Sequence, residues 1–280
     1  VMDIQLLGFR AAARVPRWLW WPAAKWAAAW LGRRPPIPLR QWALNAEVVT
    51  GVTPGPDDLV AAQFSWIRNT VGSLQLGSLD RESLVSLVEA DETLMDWLRE
   101  LHATRGLVLA LPHQGSWDLA GAYACQVGLP VTSVAERLPR DQFEYFRWVR
   151  EQLGFRIHPH DAGNLVPTLC TDLRCGQVVC LIADRDFGRR GIPVKWPTPK
   201  GPRELTVPAG PHLIARQTGA ALVGAATHYH GDRLRIELSE EIAGDMADSA
   251  QQLTNFFATQ VRAHVHDWHL MQRFFPGIVA

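Results

Sequence analysis

Gly106-Leu-Val-Leu-Ala-Leu-Pro112-His113-Gln-Gly115-Ser116-Trp-Asp118 decides how the chain is to be read. Its first half is a short, continuous apolar run, the pattern of a strand buried on both faces rather than one with a wet side. The strand ends at Pro112, a polar turn containing Gly115 follows, and a helix is expected from about Asp118 to Val127. His113 then falls at the carboxyl end of a buried strand, where open α/β sheets place their ligands.

The same grammar continues downstream. Further strands are expected at Val131 to Val134, Phe155 to His158, Val178 to Ala183, Ala221 to His228 and Leu234 to Leu238. Helices are expected at Asp141 to Leu153, Asn164 to Arg174, Gly210 to Thr218 and Ser249 to His266. Alternation of strand and helix predicts an α/β fold with a central, mostly parallel sheet flanked by helices. Upstream, residues 40 to 102 are expected to be helical, with Leu59, Val60, Phe64 and Ile67, then Leu84, Leu87, Val88, Leu94 and Leu98, at helical spacing. No repeat or linker is visible. The expected organisation is a single unit with a helical segment over 1–42 and an α/β part over 43–280.

The composition is that of an ordinary globular protein. It has 280 residues, 28 Lys+Arg against 28 Asp+Glu, and 47% hydrophobic residues. This excludes a disordered tail and a nucleic-acid binder driven by overall charge. The four cysteines, Cys125, Cys170, Cys175 and Cys180, form neither a disulfide framework nor C-x-x-C pairs, so a reducing compartment without structural zinc is expected. No stretch reaches the ~18 clean apolar residues of a membrane span. Arg10, Arg14 and Arg17 interrupt the N-terminus too often for a signal peptide.

Residues 1–42 nevertheless stand apart. They hold seven basic residues against the single acid Asp3, and half of the 12 tryptophans: Trp18, Trp20, Trp21, Trp26, Trp30 and Trp42. Arg10, Arg14 and Arg17 share a helical face, with apolar surface around the rest. Tryptophan and arginine with few acids suit the headgroup region of a membrane. Core helices that pack their tryptophans against the sheet would carry the same pattern, and spacing does not separate the two.

His113 and Asp118 are the first candidate pair. Five residues is too far to share one face of a continuous helix, but an aspartate in the first helical turn can reach back to a histidine in the preceding loop. A carboxylate there would hold one imidazole nitrogen protonated and leave the other free as a base. A strand end and a helix cap without chemistry give the same spacing.

His113-Gln-Gly-Ser-Trp-Asp118 resembles the H-x4-D motif of the glycerolipid and lipid A acyltransferases, and the surroundings resemble one branch, the actinobacterial phosphatidylinositol mannoside acyltransferases. The supporting pieces are Thr132-Ser-Val-Ala-Glu136-Arg137-Leu138, Ile182-Ala-Asp184-Arg185-Asp186, Val207-Pro208-Ala-Gly210-Pro211, Arg216-Gln-Thr-Gly219-Ala220 and Asp267-Trp268-His269-Leu-Met-Gln272. The resemblance implies a sheet covered by helices and transfer of a long acyl chain from acyl-CoA to a mannose hydroxyl of a phosphatidylinositol mannoside. It also implies His113 as general base and Asp118 as its orienter. Glu136, Arg137, Arg150, Asp184, Arg185 and Glu204 are implied around the donor and acceptor. The chain departs from the family before the Pro-Ala-Gly-Pro block, where Lys195-Trp-Pro-Thr-Pro-Lys-Gly-Pro-Arg-Glu204 replaces an aromatic-aromatic-Gly-Glu tetrad.

On this reading the backbone N–H groups of Gly115 and Ser116 are expected at the oxyanion, and Arg137, Arg140, Arg185, Arg189 and Arg190 supply charge for phosphates. Acyl-CoA enters as a substrate, with no cofactor and no metal. The partners expected are a glycolipid acceptor and an anionic membrane surface on the cytoplasmic side, without nucleic acid. Covalent catalysis would need Ser116 or a cysteine, but Ser116 lacks the Gly-x-Ser-x-Gly elbow and Cys125 lies inside a predicted helix. A related glycolipid or glycerolipid acyltransferase with another acceptor is the alternative within this class, and two other classes remain open. His158-Pro-His160-Asp161, His228-Tyr-His230 and His264-Val-His266 permit a metal-dependent hydrolase, and the Trp- and Arg-rich start permits a non-catalytic membrane-binding module.

Overall fold

The computed structural model describes residues 15, 17–137, 142–186 and 191–280. Arg10, Arg14, Leu138, Arg140, Asp141, Arg189 and Arg190 lie outside the described residues. In chain order, α1 (Arg17–Arg33), α2 (Ile37–Thr50), α3 (Pro56–Gln75) and α4 (Arg81–Ser86) precede β1 (Val88–Glu89) and α5 (Glu92–Arg105). Then come β2 (Leu107–Leu111), α6 (Trp117–Gln126), β3 (Val131–Ala135), α7 (Gln142–Gln152), β4 (Arg156–Pro159), α8 (Leu165–Arg174) and β5 (Val178–Ile182). The rest is β6 (Ile192–Trp196), β7 (Arg203–Val207), α9 (Gly210–Thr218), β8 (Ala221–His230), β9 (Arg233–Glu241) and α10 (Met246–Ala263).

Seven strands form one sheet in the order β1-β9-β8-β2-β5-β3-β4, and every pairing in it is parallel except β8 with β9. The apolar run of β2 is central and wholly buried. Because side chains alternate across a strand, Leu107, Leu109 and Leu111 face α5 and α6, while Val108 and Ala110 face Leu169, Ile214 and Phe257 of α8, α9 and α10. Two hydrophobic layers therefore sandwich the sheet, as an unalternating strand requires.

Three expectations need correction. The region from 40 to 102 is not one helical pattern: Gly51, Gly55 and Asp80 break it, and Val88 pairs with Leu234 as an edge strand. The hairpin β6–β7, with Ile192 opposite Val207 and Trp196 opposite Arg203, went unread because the Pro- and Gly-rich loop between its strands hides their alternation. The last helix starts earlier, at Met246, because Asp245 caps it by accepting from the N–H groups of Ala247 and Asp248.

The tryptophans at the start divide between interior and surface. Trp42 is fully buried in α2, and its indole N–H donates to the Trp268 carbonyl at 2.9 Å, so α2 runs through residue 42 into the core. Trp20 donates to Gln75 of α3, and Trp21 packs edge-on against Phe64 with centroids 5.0 Å apart. Trp26 and Trp30 point outward, 71% and 53% exposed, with Leu19 and Ile37 also exposed. Among the described residues, no helix is long and apolar enough to cross a membrane.

Candidate active site

Strand register builds the site. β2 and β5 are parallel neighbours with Leu111 opposite Ile182, so the residues two beyond each partner, His113 and Asp184, leave the sheet side by side. His113 Nδ1 lies 2.6 Å from Asp184 Oδ1, and the His113 backbone N–H donates to Oδ2 at 3.0 Å. The Trp268 indole N–H donates to the same Oδ2 at 3.0 Å. Asp184 is fully buried. Burial opposes its charge, but His113 and the N–H donors outweigh burial and hold the carboxyl below its usual range. An ionised carboxylate only accepts, so in the neutral ring Nδ1 carries the proton and Nε2 keeps its lone pair.

Asp118, the expected orienter, is turned elsewhere. Arg150 of α7 grips it with two parallel bonds, Nε to Oδ1 at 2.8 Å and Nη2 to Oδ2 at 3.0 Å. Burial alone would weaken the Arg150 charge, but the Asp118 carboxylate more than offsets this and holds the guanidinium above its ordinary value. The orienting contact of His113 is therefore with Asp184, placed by the adjacency of β2 and β5, and Asp118 instead fixes α7 against the start of α6.

The turn between His113 and α6 admits no side chain at Gly115. Its φ is +64°, and a Cβ there would sit 2.4 Å from the Thr227 carbonyl oxygen. Thr227 Oγ1 donates to the Gln114 carbonyl and accepts from the Ser116 N–H at 3.1 Å, while the Gly115 N–H donates to the Asp267 carbonyl at 2.8 Å. These are the two amides expected at the oxyanion, and both are engaged within the protein. Ser116 is a buried helix cap, its hydroxyl accepting from the Leu119 N–H.

His113, Asp118, Glu136, Arg150 and Arg185 border one cavity of about 930 Å³, within the range of ligand pockets. Its body is apolar and runs between α6 and the sheet past Leu109, Val131, Phe155 and Leu98. Arg185 and Asp186 also line a second, smaller cavity of about 180 Å³ with Thr206 of β7 and Arg273. Arg273 is not singled out by the sequence although it directly follows the Asp267 to Gln272 block, because nothing in that block brings it next to Arg185. Gly115, Ser116 and Asp184 lie behind His113 rather than in the lining, and Arg137 and Glu204 are turned to other surroundings. Arg137 is turned to Asp161, with bonds of 3.0 and 2.9 Å from Nε, and Glu204 is an exposed residue of the β6–β7 hairpin opposite Lys195.

Several residues named for the alternative chemistries are held in other contacts. Burial pushes the thiols of Cys125 and Cys180 up, away from the reactive thiolate. Among the described residues no group of three or more His, Cys, Asp or Glu converges on a metal position. His158 is bonded to Asp172, His160 accepts from the Arg137 N–H, and His266 is bonded to Asp58.

With this geometry in view, residues 85–276 match the family model described as bacterial lipid A biosynthesis acyltransferase. The class is thus an α/β acyltransferase, and the chain belongs to that family. It is also similar to curated relatives called phosphatidylinositol mannoside acyltransferase. That of Mycolicibacterium smegmatis (strain ATCC 700084 / mc(2)155) is 34% identical over 237 residues, 81% of this chain and 76% of the relative. That of Mycobacterium tuberculosis (strain CDC 1551 / Oshkosh) is 35% identical over 241 residues, 81% of this chain and 74% of the relative.

Proposed function

We propose that this enzyme moves a long acyl chain from acyl-CoA to a mannose hydroxyl of a phosphatidylinositol mannoside, with His113 as base and Asp184 as its orienter. The observation that carries the reading is the His113–Asp184 pair at the border of a long apolar cavity. The acyl chain lies along the apolar body, and the thioester carbonyl reaches His113. His113 Nε2 takes the proton of the acceptor hydroxyl as its oxygen bonds to the carbonyl carbon. Collapse of the tetrahedral intermediate breaks the carbon–sulfur bond, and the imidazolium returns the proton to the departing thiolate. Asp184 stabilises the imidazolium between these steps. The positive end of α6, which starts four residues after His113, supplies a fixed dipole for the oxyanion in place of the engaged Gly115 and Ser116 amides. No cofactor enters.

Arg185 and Arg273 suit the phosphates of either substrate through their planar donor forks. The outward face of α1, with Leu19, Trp26 and Trp30 beside Lys25 and Arg33, suits the surface of an anionic membrane. Use of acyl-CoA puts the reaction on the cytoplasmic side.

The test is acyl transfer from palmitoyl-CoA to purified phosphatidylinositol mannosides, following thiol release and product mass. Wild type is expected to form the acylated mannoside and His113→Ala to form none. Thiol release by hydrolysis alone would remove the acceptor assignment, and full activity in His113→Ala would remove the base.

A further inference from the structure

The Asp267-Trp268-His269 segment touches the loop that carries His113 from several sides. The Gly115 N–H donates to the Asp267 carbonyl at 2.8 Å, and the His269 N–H donates to the His113 carbonyl at 2.7 Å. The His269 ring is 2.8 Å from the Gly115 carbonyl through Nε2, which therefore carries its proton, and Gln114 pairs with Trp268 as an isolated bridge. The segment is itself anchored. Asp267 accepts from the Tyr229 N–H at 2.7 Å, Trp268 accepts from the Trp42 indole, and the fully buried Trp268 ring stacks on Trp196. So fixed, Trp268 has one polar atom on its side chain, and that atom reaches Asp184 Oδ2.

We propose that Trp268 is a positioning residue of the acyl transfer: its indole N–H holds the Asp184 carboxylate against the His113 ring and shares its negative charge, which sets how basic His113 is. The proposal rests on the reading of His113 as the base. The physical ground is the competition at one carboxylate. Oδ2 already accepts the His113 backbone N–H, and the second donor from Trp268 draws charge away from Oδ1, where the ring proton is held. Without the indole N–H, Asp184 would stabilise the imidazolium more strongly. His113 would then remain protonated to higher pH and be unavailable as a base.

The other charged or titratable groups around this pair are His269, Asp267, Arg185, Glu136, His160 and the Asp118–Arg150 pair. None of them is altered by removing the indole N–H.

The experiment replaces that N–H in the full chain by two routes, Trp268→Phe and benzothienylalanine at position 268, which keeps the ring shape with sulfur in place of the N–H. The His113 ring is titrated by NMR, with His113→Gln to assign its signal. The expected midpoint rises by about half to one pH unit, the worth of one neutral hydrogen bond. Turnover at pH 6 falls about three- to tenfold, with a much smaller loss at pH 8.5 and an unchanged KM for acyl-CoA.

An unchanged His113 midpoint in the benzothienylalanine protein overturns the proposal, as does an equal loss of turnover at both pH values. If Trp268→Phe does not fold, the benzothienylalanine protein decides alone. The titration needs no substrate, so it stands even if wild type shows no transfer to the mannoside.

Discussion

Asp118 and Arg150 meet as a two-pronged ion pair, 32 residues apart in sequence, with both side chains mostly buried. The second half of the H-x4-D motif therefore holds α7 to the base of the site rather than holding the histidine ring. Removing one partner leaves an uncompensated charge where water has little access, which costs on the order of 3 kcal/mol. Asp118→Asn and Arg150→Met should each lower the unfolding midpoint clearly, and the double variant should be more stable than the sum of the two losses requires. A double-mutant cycle by chemical denaturation measures the coupling, expected at about 2 kcal/mol or more. Strict additivity would mean that the pair does not act as a unit.

Asp184→Asn should behave differently. An amide in this position can present its N–H to the ring and favour the tautomer with the proton on Nε2, which is the wrong nitrogen for a base. Turnover is expected to fall about 10²- to 10⁴-fold with little change in KM. Asp118→Asn should leave the shape of the pH–rate profile intact while lowering its height. If Asp118→Asn changes the profile and Asp184→Asn does not, the roles assigned to the two carboxylates are reversed.

The outward tryptophans provide a third test. Trp26 and Trp30 are exposed on α1, whereas Trp20 and Trp21 pack against α3. Trp26→Ser with Trp30→Ser should reduce partitioning to vesicles containing anionic lipid at least tenfold, without changing the unfolding free energy by more than about 0.5 kcal/mol. Co-sedimentation and a denaturation curve check both halves. Unchanged partitioning would show that this face does not meet the bilayer.

How far the sequence reaches is visible in these same residues. β2 was legible because burial on both faces forces an unbroken apolar run, and His113 was legible because it follows that run directly. Asp184 stood out only through resemblance and was assigned to substrate rather than to His113. Its pairing depends on β5 being the neighbour of β2, with Leu111 opposite Ile182, and strand order across a sheet leaves no local trace. The Asp118 contact is hidden for the complementary reason: closeness in sequence makes it look like the partner of His113, while Arg150 arrives from a separate helix. Glu204 and Arg137 show the same limit, since a polar residue near a motif can as easily face the solvent or a neighbouring acid as the cavity.

The buried histidines predict how stability follows pH. Burial lowers His212 and His269 to about 4, against an ordinary value of 6.5. His212 accepts or donates only to Ser249 through Nδ1, and His269 lies against the Gly115 carbonyl, so neither has a carboxylate bonded to its ring. As pH falls through 6.5 the unfolded chain takes up these protons and the folded chain does not. The stability that the neutral rings permit is complete above about pH 6.5 and is lost progressively down to about pH 4. Each histidine accounts for on the order of 3 kcal/mol across that window. Asp184, held below the usual carboxylate range, stays ionised through most of it and adds its own loss only at still lower pH. Denaturation curves at pH 7, 6, 5 and 4.5 should show a steepening decline, and His212→Asn should flatten it even if it lowers stability at pH 7. A midpoint constant from pH 7 to 4.5 would mean that these rings are already charged, or freely hydrated, in the folded protein.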